Sequence, residues 1–202
     1  MNADFASPAA LARRLLDVIE EDIVPLTREG VAKGNKIFGA AVLAKADLSV
    51  VVAETNNETE NPLWHGEVHA LKRFFEQPDE RRPPTRDCIL LSTHEPCSLC
   101  LSAITWAGFD VFYYLFGYEQ TRDDFVIPHD LRILDEVFAV RDGKYVRSNA
   151  YWTSHGIREL IDGLADAERR PLLARIAGIS ECYAGLSDTY QKTKESTPIP
   201  LA

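Results

Sequence analysis

The chain has 202 residues, 46% of them hydrophobic and 26% charged, which is the composition of an ordinary soluble globular protein long enough to bury a core. Its 22 basic and 31 acidic residues give a formal net charge of −9, so phosphate backbones are not attracted overall. No run approaches the roughly 20 apolar residues of a membrane helix, and residues 1–4 lack signal-peptide features. We therefore predict a cytoplasmic protein with no membrane partner and no nucleic-acid partner.

Hydrophobic periodicity predicts helices and strands that alternate along the chain. Ser7-Pro8 is expected to open a first helix that Pro25 ends or bends. Strands are predicted at 38–44, 48–53, 88–93 and 110–116. Further helices are predicted at 65–76, 96–106, 156–169 and 171–183, segment 131–138 fits either type, and an aperiodic tail follows from 192. This order predicts an α/β sandwich with one mixed sheet.

Two short motifs carry the residues that we expect to do chemistry. His65-Gly66-Glu67 stands at the start of one predicted helix, and Cys97 and Cys100 open the next. Two thiolates and one imidazole supply three metal ligands, and an open fourth position is typical of catalytic zinc. Either motif alone is weak, since a Cys-x-x-Cys pair is also found in structural and redox sites. In this order they match the signature of zinc deaminases, so we predict Zn²⁺ held by His65, Cys97 and Cys100.

Glu67 lies two residues after the predicted histidine ligand, where its carboxylate can approach the open side of the metal without binding it. A carboxylate there can take a proton from zinc-bound water and pass it to a ring nitrogen and a leaving amine. We therefore predict hydrolytic attack by zinc hydroxide on the amino-bearing carbon of a cyclic amidine. Glu67 is the proton shuttle in this reaction, and ammonia is released.

The stretch from residue 38 to 125 resembles the cytidine-deaminase-like superfamily, in the branch of guanine deaminase, fungal cytosine deaminase and tRNA adenosine deaminase. The resemblance rests on the two motifs above, on Phe38-Gly39-Ala40-Ala41-Val42 as a first strand, and on the strand that runs into Asn56-Asn57. It implies a three-layer sandwich in which a central mixed five-stranded sheet is flanked by helices. It also implies a homodimer. The loop before His65 departs from the family because it is shorter and has Asn61-Pro62-Leu63-Trp64 as its lead-in.

The resemblance also assigns residues to the substrate. It implies that Asn57 contacts the base, with Asn56 as the alternative one residue away, and that the backbone N–H of Cys97 helps to hold the attacked centre. Trp64 is a further candidate for the pocket wall because it abuts the histidine motif, against the alternative that it packs in the core. Asp123 and Asp124 lie where the branch sometimes places a carboxylate that reads the base, against the alternative of a solvated loop.

Two nearby histidines have simpler interpretations. His69 shares a helix face with His65, but the two cysteines already complete the ligand set, so we expect it to pack or to support the site. His94 precedes the cysteine helix and either lines the pocket or is a strand-end residue with no catalytic role. Residues 1–140 are predicted to form the deaminase domain. Residues 141–202 are predicted to form a helical extension that closes over the site, as in the guanine deaminase branch.

These interpretations predict a zinc-dependent aminohydrolase of nucleobase metabolism that acts on a free nucleobase or a similar small heterocycle, with a guanine-like base favoured over cytosine. The alternatives are a tRNA adenosine deaminase, which the acidic charge disfavours, and a nucleoside or nucleotide deaminase. An alternative of another class is a zinc-stabilised binding domain without activity. The presence of Glu67 argues against it, because a purely structural zinc site does not need that carboxylate.

Overall fold

Five strands form one mixed sheet at the centre of the computed structural model, which describes residues 7–202. Residues 1–6, where a signal peptide would begin, lie outside the described residues. The strands are β1 Gly39–Ala44, β2 Val50–Thr55, β3 Cys88–His94, β4 Val111–Phe116 and β5 Thr153–Gly156. Their order is β2-β1-β3-β4-β5; β1 is antiparallel to β2 and β3, while β3, β4 and β5 are parallel.

Helices cover both faces of this sheet. They are α1 Pro8–Val18, α2 Val24–Ala32, α3 Gly66–Phe75, α4 Ser98–Ala107, α5 Tyr118–Asp123, α6 His129–Phe138, α7 Ile157–Asp162 and α8 Asp166–Thr193. One apolar cluster joins α1, α2, α7 and α8 to one face, and a second joins α3 and α4 to the other. Alternate residues of β3 serve the two clusters, as the period of a strand requires: Ile89 and Leu91 face the first, Leu90 the second. The predicted three-layer sandwich with a mixed five-stranded sheet is confirmed.

The first helical region passes Pro25 without breaking. Ile19–Ile23 form a π-helical turn, and α2 begins at Val24 with Pro25 in its first turn. Backbone N–H groups in the first turn of a helix have no intrahelical acceptor, so a proline costs little there. The π-helical turn therefore separates α1 from α2 just before Pro25, the residue at which the sequence predicts an end or a bend.

The C-terminal third differs from the sequence prediction in three places. Strand β5 was not predicted, because four residues are too few for a periodic pattern, and it carries the sheet past residue 140. Helix α8 is one helix of 28 residues that contains Pro171. The predicted tail is not wholly in solvent, since Ile199 is buried. Within residues 7–202, no helix is long and apolar enough to cross a membrane.

His94 at the end of β3 is enclosed by aromatic rings. Its imidazole makes edge or tilted contacts with Phe38, Phe116, Phe125 and Tyr183 at centroid distances of 4.7–5.4 Å. Nδ1 lies 2.9 Å from the hydroxyl of the neighbouring Thr93, and Nε2 has no hydrogen-bond partner among the described residues. Burial lowers the pKa of His94 to about 3. The ring is therefore neutral in the folded protein, in agreement with the strand-end interpretation.

This histidine is expected to make the metal-free protein sensitive to acid. Between its folded pKa of about 3 and an unfolded value of about 6.5, the unfolded chain binds more protons, so stability falls as pH falls. His94 alone should account for roughly 2 kcal/mol of unfolding free energy lost between pH 6.5 and pH 5. Urea unfolding of wild type and His94→Phe at both pH values would measure this. Equal pH slopes for the two proteins would show that His94 does not carry the effect.

Candidate metal centre and active site

The N-terminal ends of α3 and α4 bring His65, Cys97 and Cys100 together. His65 and Cys97 are the residues that immediately precede the two helices, both with extended backbone angles, and Cys100 lies in the first turn of α4. Nδ1 of His65 is 3.4 Å from Sγ of Cys97 and 3.8 Å from Sγ of Cys100, and the two sulfurs are 3.6 Å apart. The three donor atoms therefore face one common point.

This donor set fits zinc. A tetrahedral ion with Zn–S near 2.3 Å and Zn–N near 2.0–2.1 Å would separate two sulfurs by about 3.8 Å and a sulfur from a nitrogen by about 3.6 Å. The three separations above match those values to within a few tenths of an ångström. All three donors lie within 4.8 Å of one another. Three protein ligands leave a tetrahedral ion one open position, as the sequence predicts for a catalytic site.

Without metal, the three ligands share protons unequally. Hydrogen bonds from Cys100 and His65 hold the pKa of Cys97 well below its ordinary value against the opposing effect of burial. Burial and the Cys97 thiolate raise the pKa of Cys100 well above its ordinary value. Burial lowers the pKa of His65, but the hydrogen bond and charge of Cys97 outweigh it and raise that pKa to about 9. The metal-free cluster is thus an imidazolium, one thiolate and one thiol.

Glu67 lies beside the metal ligands in the first turn of α3 and is 4% exposed. Its Oε1 accepts a hydrogen bond from Ser92 Oγ at 3.0 Å, and its Oε2 accepts one from the Cys100 thiol at 3.2 Å. Burial, followed by the charge of Cys97, raises the pKa of Glu67. A carboxyl group with a raised pKa exchanges protons more readily near neutral pH, which suits a proton shuttle.

Gly66 allows α3 to lie directly on β1. A β-carbon at this position would stand 2.8 Å from Gly39 Cα and 3.0 Å from both Gly39 N and Phe38 O. Backbone atoms cannot rotate away as a side chain can, so any larger residue must push the helix off the sheet. His65 and Glu67 flank Gly66, and their positions therefore depend on this close approach.

Gly66→Ala is expected to move both flanking residues and so to weaken zinc binding and activity at least 10-fold. Overpacking of this kind costs about 1–3 kcal/mol of stability. Gly185→Ala is the matched control, because a β-carbon on that residue of α8 meets nothing within 4 Å among residues 7–202 and alanine favours a helix. Zinc titration and thermal unfolding of both variants check this. Wild-type zinc affinity in Gly66→Ala would show that the site tolerates the displacement.

The loop between β2 and α3 orients its two asparagines differently. Asn56 is 1% exposed; its Oδ1 accepts a hydrogen bond from the Gly66 N–H, and its Nδ2 donates to Glu58 Oε2 at 2.7 Å. Asn57, the predicted base contact, instead donates from Nδ2 to the carboxylate of Glu60 at the surface, at 2.6 Å. Of the two, Asn56 is therefore the residue that touches the start of α3.

Trp64 also points away from the ligand cluster. Its indole stacks on His69 with ring centroids 5.7 Å apart and an interplanar angle of 7°. His69 Nδ1 lies 2.9 Å from the carbonyl oxygen of Thr55, so the histidine packs between α3 and β2 as expected. Asp123 and Asp124 are exposed, and Asp123 pairs with Arg122. Neither Trp64 nor these aspartates line the cavity that the described residues form at the metal ligands.

A cavity of about 350 Å³ opens onto His65 and Cys97. That volume lies at the lower end of the range for small-molecule sites. Most of its wall is apolar, supplied by Phe38, Pro62, Leu63, Leu99, Ile127, Ile133, Ile199, Pro200 and Leu201. Residues near the C-terminus, Ile199, Pro200 and Leu201, thus form part of this wall.

Four polar residues of the wall lie outside the motifs that the sequence singles out. They are Lys36, Glu58, His129 and Asp130. Burial, then the charge of Cys97, raises the pKa of Asp130 well above its ordinary value. No spacing rule identifies these residues, because they come from three separate loop or helix ends. Glu58 alone had a signal, since it lies in the loop that departs from the family.

Comparisons with known proteins agree with this geometry. Residues 21–116 match the family model described as the cytidine and deoxycytidylate deaminase zinc-binding region, which confirms the resemblance over that part of the chain. Guanine deaminase of Bacillus subtilis (strain 168) is 34% identical over 92 residues, which are 45% of this chain and 58% of that protein. The chain thus matches little more than half the length of this relative.

Two solved structures are similar to this chain at lower identity, and the first of them, at a TM-score of 0.50, shows the same fold. A mutant protein crystallised in complex with 8-azaguanine has a TM-score of 0.50 and 19% identity, covering 88% of this chain and 87% of that one. The Bacillus subtilis guanine deaminase structure has a TM-score of 0.44 and 27% identity, covering 55% of this chain and 73% of that one.

Proposed function

We propose, from the confirmed resemblance to the cytidine-deaminase-like superfamily, that this chain is a zinc-dependent hydrolytic deaminase of a free nucleobase or a similar aminated heterocycle. One observation carries the proposal. His65, Cys97 and Cys100 form a three-donor cluster with the right separations for zinc, and a buried carboxylate, Glu67, stands against it. A structural site has no need of that carboxylate.

The metal ligands, Glu67, Ser92 and the apolar wall have different roles in the proposed reaction. Zinc held by the three ligands would supply Lewis acidity and lower the pKa of a water molecule at its open position. Glu67 passes the first proton of the attacking water to the ring nitrogen and then the second, from the newly formed hydroxyl, to the amine, which leaves as ammonia. Ser92 fixes the orientation of the Glu67 carboxylate through its hydrogen bond at 3.0 Å. The apolar wall excludes other water from the reacting carbon.

We propose a guanine-like base rather than cytosine as the substrate. Asp130 offers an acceptor oxygen in either protonation state, and a guanine edge presents adjacent N–H donors that it can bind. We propose that Asp130, together with the backbone N–H of Cys97, orients the base. The identity to a guanine deaminase supports the same choice. The formal charge of −9 disfavours tRNA as the substrate.

The remaining assignments extend this proposal. We propose that residues 141–202 act as an extension that closes the site, since Ile199, Pro200 and Leu201 line the cavity. We also propose a homodimer in the cytoplasm. Trp106 on α4 supports the dimer because it is 91% exposed, and large exposed apolar side chains are enriched at protein interfaces.

The test is ammonia release by the zinc-loaded protein. The panel contains guanine, cytosine, adenine, their nucleosides, aminated pterins and triazines, with tRNA as a separate substrate. We expect turnover of one free base, with guanine or a related aminated purine fastest. Turnover of tRNA alone would replace this proposal with the tRNA adenosine deaminase. Stoichiometric zinc without any turnover would favour a binding domain.

A further inference from the structure

A buried ion pair forms part of the cavity wall next to the metal ligands. Nζ of Lys36 lies 2.8 Å from Oε1 of Glu58, and the two side chains are 7% and 1% exposed. Removing two charges from water is costly, so such a pair needs further hydrogen bonds to be tolerated. Glu58 has one, because Asn56 Nδ2 donates to its other oxygen at 2.7 Å. Both carboxylate oxygens are therefore held in place.

The carboxylate of Glu58 lies on the side of the His65 ring that is opposite the two cysteines. Oε1 of Glu58 is 3.7 Å from Nε2 of His65, while Nδ1 of the same ring faces the two cysteines. A neutral imidazole carries one proton, and a partner on one nitrogen decides which nitrogen is free to bind metal. The negative charge of a carboxylate 3.7 Å from Nε2 favours the tautomer with its proton on that nitrogen and leaves Nδ1 as the ligand.

Asn56 links this arrangement to the helix that carries the catalytic residues. Its other side-chain atom, Oδ1, accepts the N–H of Gly66, between the metal ligand and Glu67. The path Lys36, Glu58, Asn56, Gly66 is thus continuous and buried. Within this path, Glu58 lies in the loop whose lead-in to His65 departs from the family pattern.

We propose that Glu58 is a positioning residue that orients His65 and raises the affinity of the site for zinc, with Lys36 and Asn56 holding its carboxylate. This inference rests on the proposed function only in that it requires zinc at His65, Cys97 and Cys100. Glu58 touches neither the reacting atoms nor the metal, and it acts through the imidazole alone.

The experiment compares zinc affinity in Glu58→Gln and Glu60→Gln. Glu60 belongs to the same loop but pairs with Asn57 at the surface, so it is a matched control. Competition with a chromophoric chelator gives the zinc Kd of each metal-free protein at pH 7.5. We expect Kd to rise about 10–100-fold in Glu58→Gln, the usual effect of removing a carboxylate behind a ligating histidine. Glu60→Gln should stay within about twofold of wild type.

A double variant separates positioning from stability. In Lys36→Met/Glu58→Met both charges are gone, and apolar replacement of a buried pair is often neutral for stability. We expect its melting temperature to return towards wild type while its zinc Kd stays raised about 10–100-fold. Wild-type affinity in Glu58→Gln, or in the double variant, would overturn the inference. If wild type itself bound no zinc, the proposed function would fail and the inference with it.

Discussion

Glu67→Gln is expected to lower kcat about 10³–10⁴-fold while the protein keeps one equivalent of zinc. Positioned general acid–base groups contribute about 10²–10⁴-fold, and Glu67 would serve two successive proton transfers, so the upper part of that range applies. Glutamine has nearly the same shape, and its carbonyl oxygen can still accept the hydrogen bond that Ser92 now donates at 3.0 Å. The side chain would stay in place and lose only its ability to carry a proton.

The measurement pairs steady-state ammonia release with zinc content for each variant. Glu76→Gln is the control, because Glu76 follows α3 directly but is exposed and pairs with Lys72 and Arg73. It should keep wild-type kcat. If Glu67→Gln retained more than about a tenth of the activity, Glu67 would not be the shuttle. If it lost its zinc instead, the carboxylate would have to be counted among the ligands.

The metal site could be predicted from sequence because its chemistry is local. His65 and Glu67 are separated by one residue at the start of α3. Cys97 and Cys100 span one helical turn at the start of α4. The layered fold could be predicted for a similar reason. Strands and helices with clear periods fill most of residues 38–116, and the connections between them are short enough to limit the topology.

The substrate wall could not be predicted in the same way. Lys36 precedes β1, Glu58 follows β2 and Asp130 lies in the first turn of α6. The fold brings these three residues to the wall of one cavity, and no pattern in the sequence predicts that proximity. Asn57 was preferred over Asn56 by alignment across a shortened loop. A one-residue shift in such a loop exchanges a buried amide for a half-buried one. Short elements could not be predicted either, because the four residues of β5 are too few to show a periodic pattern.

Zinc binding to the metal-free protein is expected to release about two protons near neutral pH, because ligands must be deprotonated to bind metal. One comes from His65, whose pKa is raised to about 9 by Cys97 against the effect of burial. The other comes from Cys100, whose pKa is raised by burial and by the Cys97 thiolate. Cys97 is already a thiolate, since Cys100 and His65 lower its pKa, and it releases none.

The direction in which zinc affinity changes with pH follows from these pKa shifts. Below the pKa values of His65 and Cys100 both groups hold protons in the metal-free state, so protons compete with zinc and affinity rises with pH. Two released protons correspond to an increase in affinity of about 100-fold per pH unit. The increase should become shallower as pH approaches the His65 value of about 9. Calorimetric titration at pH 6.5 and 7.5, in buffers of different ionisation enthalpy, measures the proton number directly.

Cys182→Ser is the control for thiol titration, because this free cysteine lies on α8 away from the cluster. It should release the same two protons as wild type. A pH-independent Kd would mean that the metal-free ligands are already deprotonated, and the site would then be organised for metal before metal arrives. The steep dependence expected here instead implies that a fall of one pH unit below neutrality weakens zinc binding about as much as the largest loss expected for Glu58→Gln. Acid inactivation should accordingly be reversed by added zinc, at pH values where the fold itself persists.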